Sequence, residues 1–391
     1  MSLADLWIES REELEGKHVQ QIIAFGGSGK LLDGRDASRE FREFLSLVPS
    51  SLLWRYADDC LTTKFDGGGL ALQDIINQVG RRLAFDVTDG VYRGSAGKVG
   101  FDGIWRSGEH GAIVVEVKTT DTYRIDLGTI AGYRRALIRD GTIREEGSSI
   151  LIIVGREDTG DLEAQIRGSR HAWDIRLISV DALLRLMRLK EEVEDPLTVR
   201  KIHEVLAPQE FTKLDGVIDV VFAAAEDVRE GAEPAEEEPG EAKPKFVPVQ
   251  FHDDCIKRIQ MHLKAILVKR SRATFTSPDS SLVVICAVSR EHESAGTPSY
   301  WYAFHPHQKD TLAGAQEAYV AFGCGSERSV LLIPFEQFVP WLEGMHITQV
   351  PDRFYWHVRI YRENGRFILH RKKGCERVDL TKFLLKDEVR A

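Results

Sequence analysis

Cysteine is scarce in this chain. Cys60, Cys255, Cys286, Cys324 and Cys375 are an odd number, widely separated, with no close pair of the kind that zinc sites and dithiol redox centres use. They read as reduced thiols in a cytoplasmic protein. Long apolar runs are also missing: none approaches the roughly 18–20 residues that cross a bilayer, and Met1-Ser2-Leu3-Ala4-Asp5 offers no basic segment followed by an apolar one. Membrane insertion and secretion are therefore not expected. No helicase or nucleotide-binding motif is present. The nearest approach, Gly26-Gly27-Ser28-Gly29-Lys30-Leu31, has Ala24 where a phosphate loop has its first glycine, and no Ser or Thr after Lys30. It reads as a plain turn. A positive excess is absent as well: the net charge of -9 excludes a protein that coats nucleic acid by bulk charge.

What the chain does have is apolar material for two or three cores, with 43% hydrophobic residues among 391. Its charge is unevenly spread. Residues 222–250 hold 8 acidic and 3 basic residues, whereas residues 251–391 hold 20 basic and 16 acidic ones. The first of these stretches, from Glu226 to Lys245, has almost nothing to bury and repels itself, so it reads as an acidic flexible linker. Four regions follow: a helical lead-in over 1–69, an α/β domain over 70–221, the linker over 222–250, and an α+β accessory or target-recognition domain over 251–391.

In the second region, Leu72, Ile75, Ile76, Val79 and Leu83 recur at spacings of three and four, which predicts an amphipathic helix. Three strands are expected after it, over 85–92, 99–105 and 112–119, separated by glycine-rich turns. A helix through Leu127, Ile130, Ala131, Arg134 and Leu137 comes next, then an apolar strand over 149–154 and another over 175–178. Asp102 lines one strand of the hairpin. Fourteen residues later Glu116 and Lys118 occupy alternate positions of the next, so the three side chains can converge on one side. Two charged residues in the run Ile113-Val114-Val115 cost several kcal/mol unless compensated. A divalent cation and the Lys–carboxylate pair would do so.

The Asp, the Glu-x-Lys and the order of helix and strands resemble the PD-(D/E)XK nuclease superfamily over about residues 70–180. The resemblance implies a restriction-endonuclease-like mixed sheet flanked by helices and Mg²⁺-dependent hydrolysis of DNA phosphodiester bonds, with Mn²⁺ as a substitute, in restriction or anti-phage defence. It assigns the metal to Asp102, Glu116 and the main-chain carbonyl of Val117, and assigns Lys118 to orienting or deprotonating the attacking water. The upstream helix often adds an acidic or amide ligand in that superfamily, here falling on Gln73 or Asp74. Phe101 stands where the superfamily has its proline. Homodimers are common among such nucleases, and energy-driven translocation would need a partner chain.

Further along, Arg124, Arg134 and Arg135 flank the site and could grip backbone phosphates, or form a solvated helix face. In the last region, residues 300–307 and 354–357 alternate aromatic and polar side chains, as strands with one buried face do; the competing reading is a stacking surface for bases. The rival function is a non-catalytic nucleic-acid-binding or regulatory protein that keeps a nuclease fold.

Overall fold

The computed structural model describes residues 2–92, 100–108, 111–119, 125–155, 160–192, 196–207, 248–294, 297–350 and 353–386. The protein is mixed α/β and divides into two compact units, Met1–Glu233 and Pro234–Ala391. Most of the acidic stretch lies outside the described residues. No described helix is long and apolar enough to cross a membrane.

The first unit begins with five helices, α1 (Leu3–Glu9), α2 (Arg11–Glu15), α3 (Val19–Phe25), α4 (Asp36–Leu47) and α5 (Ser50–Thr62), followed by α6 (Gly68–Arg82). The glycine-rich stretch at 26–31 follows a helix rather than a strand, and Gly27 and Gly29 take left-handed backbone angles, as turns require. Five strands come next: β1 (Asp86–Asp89), β2 (Gly103–Ser107), β3 (Gly111–Lys118), β4 (Ser148–Val154) and β5 (Ile175–Ser179). They form one sheet in the order β1-β2-β3-β4-β5. The first three are antiparallel neighbours, and β4 and β5 add in parallel through α7 (Leu127–Arg139) and α8 (Gly160–Arg167). The strand expected from Val99 starts later, at Gly103, and the one expected over 85–92 is shorter, because β1 and β2 pair only from Asp86↔Arg106 to Asp89↔Gly103.

Period-two alternation assigns the faces of this sheet. Ile104, Val114, Ile150 and Ile152 pack against Ile130, Ala131 and Leu137 of α7 and Leu162 and Ile166 of α8. Trp105 points the other way, onto α6, where Gly80 leaves room for its ring. Helices α9 (Val180–Glu192) and α10 (Pro196–Leu206) complete the unit, with α9 against α6.

The opening helices are built into this body rather than leading up to it. Arg82, 1% exposed, donates to the Val48 carbonyl at 2.6 Å just past the end of α4 and lies 3.8 Å from Glu191 of α9. Arg42 of α4 reaches Asp74 of α6 at 2.9 Å. Buried charges of this kind persist because their partners are held in place, so removing either side would strand the other.

In the second unit, α11 (Pro248–Leu263) starts within the segment expected to be linker. One sheet runs β12-β11-β8-β7-β6, from β6 (Val268–Lys269), β7 (Thr274–Thr276), β8 (Leu282–Ser289), β11 (Glu317–Cys324) and β12 (Val330–Pro334). The other runs β16-β15-β14-β10-β9, from β9 (His292–Ser294), β10 (Thr297–Phe304), β14 (Arg353–Glu363), β15 (Arg366–His370) and β16 (Val378–Asp379), with β13 (His346–Val350) also paired to β14. Their facing sides share a core of Ile285, Phe322 and Ile333 against Tyr300, Tyr302, Phe304, Val358 and Ile360. Helix α11 covers the far side of the first sheet through Phe251, Cys255 and Ile259. Burial pushes the Cys255 and Cys324 thiols up to about 12, which keeps them unreactive.

Replacing Gly80 by alanine would place Cβ 2.5 Å from Trp105 Cε2, and Trp105 is a fully buried ring rather than the free end of a flexible side chain. Alanine gains about 1 kcal/mol in helix propensity, while overpacking costs about 1–3 kcal/mol, so the clash decides. Gly80→Ala should lower the melting temperature. Gly132→Ala on α7, where nothing lies within 4 Å, should leave it unchanged or raise it.

Candidate active site

The candidate site lies where the β2–β3 ladder ends. The last pair is Gly103↔Val115, and the Asp102 amide still donates to the Val115 carbonyl at 3.1 Å. Beyond that point β2 no longer covers β3. The Val117 amide, facing the same edge, donates instead to Asp102 Oδ2 at 2.6 Å. Within an extended strand the N–H and C=O of one residue leave on the same edge, so the Val117 carbonyl is directed toward the Asp102 side as well.

The Asp102 main chain is fixed from behind. Its carbonyl accepts from the Gly90 amide at 3.0 Å, Gln73 Nε2 at 3.1 Å and Asn77 Nδ2 at 2.8 Å. Asn77 is itself oriented, because its Oδ1 accepts from Trp105 Nε1 at 3.0 Å. Gly103 permits this approach: a Cβ there would fall 2.2 Å from Asn77 Oδ1.

Glu116 and Lys118 extend the row of Val114 at the end of β3, on the α7 side of the sheet. Glu116 is buried, and Lys118 Nζ donates to its Oε1 at 2.5 Å. All three charged groups feel one another. Burial first, then the Glu116 charge, raises the Asp102 carboxyl to about 7, against the pull of the Val117 amide and Lys118. Burial alone would lower the Lys118 pKa, but Glu116, followed by Asp102 and Tyr133, outweighs it, so the ammonium is held above its ordinary value. Two carboxylates and a main-chain carbonyl are hard oxygen donors of the type Mg²⁺ takes. No group of three His, Cys, Asp or Glu side chains gathers among the described residues.

The other expected residues fare differently. Gln73 sits at the site but spends its amide on the Asp102 carbonyl. Asp74 faces away: its fully buried carboxylate takes Arg42 Nε at 2.9 Å and the Tyr92 hydroxyl, so it is not a helper at Asp102. Arg134 is tied to Ser148 Oγ at 3.0 Å and the Glu145 carbonyl at 3.1 Å. Ser148 pairs with Ala112, about 20 Å along β3 from Lys118, so Arg134 is a brace at the far end of the sheet. Arg135 is exposed, roughly 200° around α7 from Tyr133, the residue of that helix that lies near Lys118. Arg124 lies outside the described residues.

Asn77, Gly103 and Tyr133 were not singled out from the sequence. Asn77 carried a legible signal, one helical turn after Gln73 on the same face. Tyr133 carried none, since its approach to Lys118 and to the chain at Gly100, whose Cβ would lie 3.5 Å from its hydroxyl, arises from tertiary packing.

The chain matches no known family model and no curated protein.

An aspartate whose carboxyl rises from 3.8 to about 7 on folding favours the fold while protonated and loses that advantage as pH climbs through 7. In chelator-containing buffer, Asp102→Asn should therefore melt above the wild type at pH 8, by about 4–8 °C if roughly 2 kcal/mol is recovered. The gap should close toward pH 4. A melting curve of Asp102→Asn below the wild type at pH 8 would contradict the electrostatic account.

Proposed function

We propose that the first unit is a restriction-endonuclease-like hydrolase of the PD-(D/E)XK kind that cleaves DNA phosphodiester bonds with Mg²⁺, or Mn²⁺ in its place. The observation that carries this reading is the bond from the Val117 amide to the Asp102 carboxylate, which brings the acid of one strand to the Glu-x-Lys of the next. The element order supports it: α6, three antiparallel strands, α7, then a parallel strand, with the charged residues at the end of the central strand β3.

Asp102, Glu116 and the Val117 carbonyl would hold the cation. When bound, the ion would neutralise charge at the scissile phosphate and make hydroxide accessible near neutral pH. Asp102 must be deprotonated to serve, and its elevated pKa means that a cation would compete with a proton for it. Lys118, kept protonated, would act as an ammonium that orients water and meets developing negative charge on phosphate oxygen, rather than as a base. Glu116 has two tasks, as a ligand and as the partner that aims Lys118. Gln73 and Asn77 fix the Asp102 backbone, which makes them positioning residues. A place in defence against foreign DNA is the cellular role we attach to this chemistry, by analogy with the superfamily.

Purified protein should nick or cut plasmid with Mg²⁺ or Mn²⁺ and stop with EDTA. Asp102→Asn, Glu116→Gln and Lys118→Met should each lower the rate by about 100-fold or more. Divalent cation should raise the melting temperature of the wild type but not of Asp102→Asn. Cleavage that survives EDTA, or survives in the three variants, would sink the proposal.

A further inference from the structure

The second sheet of the second unit has an inner and an outer face, and they differ in chemistry. Inward go Tyr300, Tyr302, Phe304, Val358 and Ile360, all in the core. By strict alternation the outer face carries Trp301 of β10 and Tyr355, His357, Arg359 and Tyr361 of β14. The register places Trp301 directly opposite Arg359, with Tyr361 two residues further on, about 7 Å along the strand. Of the eight Phe, Tyr and Trp side chains of β10 and β14, three, Trp301, Tyr355 and Tyr361, fall on this outer face; Tyr355 is buried beneath its neighbours, while Trp301 and Tyr361 are half-buried.

That surface is ordered. Trp301 Nε1 donates to His357 Nδ1 at 3.0 Å, so His357 must carry its proton on Nε2, which then donates to Thr348 Oγ1 at 2.8 Å. Both ring nitrogens are used, which turns His357 into a brace for the indole. The rings beside Trp301 meet it at 81° (Tyr355) and 59° (His357), so neither stacks on its face. Tyr361 stacks on His370 at 4.0 Å. Between these two aromatic stations stands Arg359, exposed and without an acidic partner among the described residues. His346, exposed, pairs across from His357. The acids of this face are already engaged: Glu363 by His370 at 2.7 Å and Arg377 at 3.2 Å, and Asp379, which pairs across from Ile368, by Arg366 at 3.9 Å. Among the described residues of this face, the charge left without an opposite partner is that of Arg359, in a region with 20 basic and 16 acidic residues.

We propose that this outer face binds single-stranded nucleic acid, with base faces against Trp301 and the Tyr361–His370 stack and a backbone phosphate on Arg359. Flat rings held at fixed tilt, with a guanidinium between them that has no acidic partner among the described residues, suit the alternation of base and phosphate along an unpaired strand; a duplex keeps its base faces covered. The inference stands apart from the nuclease reading, since it uses none of the residues of the first unit.

The test uses the full chain in EDTA, so that no cleavage can intervene. Labelled oligothymidylate and oligouridylate of about 15 nucleotides and a duplex of the same length are titrated by fluorescence anisotropy, with intrinsic tryptophan emission followed in parallel. The single strands should bind more tightly than the duplex and quench tryptophan. Trp301→Leu and Tyr361→Leu should each weaken binding about 10-fold. Arg359→Glu should weaken it comparably and flatten its dependence on salt between about 50 and 200 mM. Arg359 is exposed, so its variant should keep the wild-type melting temperature and serves as the variant least exposed to misfolding. The proposal is overturned if the single strands do not bind, if the duplex binds as tightly, or if folded Arg359→Glu binds like the wild type. Loss of plasmid cleavage in Asp102→Asn with oligonucleotide binding intact would uphold the platform whatever becomes of the nuclease reading.

Discussion

The pinning of the main chain at Asp102 is the constraint on which the candidate site depends. An acid just outside a strand would ordinarily share the freedom of the adjoining loop. Here three N–H groups from the end of β1 and from α6 meet its carbonyl, while its carboxylate is caught by the Val117 amide. One residue is thereby held from the helix side and from the strand side at once. Asn77 links this arrangement to the core, because the same side chain that donates to Asp102 accepts from Trp105, and Trp105 is packed onto Gly80 of the same helix. The geometry of the charged residues is therefore a consequence of how α6 seats on the sheet, and a packing change two turns away would be felt at the carboxylate.

Asp74 and Asp102, on neighbouring elements of this unit, show why one aspartate reads as a site and another as structure. Asp74 is enclosed, yet it has a guanidinium and a phenol hydroxyl as partners, and burial raises it only to about 6. Its surroundings complete it. Asp102 is offered one amide, sits beside a second carboxylate, and rises to about 7. Lys118 is shared, with its short contact going to Glu116. A cluster left short of positive charge in a partly desolvated place is costly to a fold that has no use for it, and an oxygen-rich, cation-deficient pocket is what a hard divalent ion would relieve. This imbalance is the physical content of the nuclease reading.

Much of this was legible beforehand, and the reasons are local. The apolar stripe of α6, the alternation in β2 and β3, and the short apolar runs of β4 and β5 are periodicities set by neighbours in sequence, and the structure places elements there. The hairpin spacing from Asp102 to Glu116 likewise follows from strand geometry and one turn. Contacts made across the fold were not legible. Gln73 and Asp74 are adjacent in sequence, and which of them turns toward Asp102 depends on the helix's rotation against the sheet and on Arg42 arriving from α4. Arg134 reads from sequence as a surface cation on a helix near the site, but three residues at the far end of β4 capture it. The opening helices carry no sequence mark of belonging to the sheet domain, because Arg42 and Arg82 look like ordinary helix-surface residues until their partners are known. In the second unit the two-residue and three-residue strands β6, β7 and β9 are too short to carry a period, and only their pairing defines them.

The two units also differ in how they use the ends and faces of their sheets. In the first unit both faces are covered, and the candidate site lies at the end of β3, where the β2 ladder stops and an edge of main chain opens. In the second, the first sheet is covered by α11 and the second sheet turns a ring-bearing, cationic face outward. A covered sheet can concentrate charge at one point but reads little surface; an open face can read an extended ligand but cannot desolvate a reacting group. Joining the two in one chain would supply what each lacks, a desolvated charged centre and a surface that holds an extended strand.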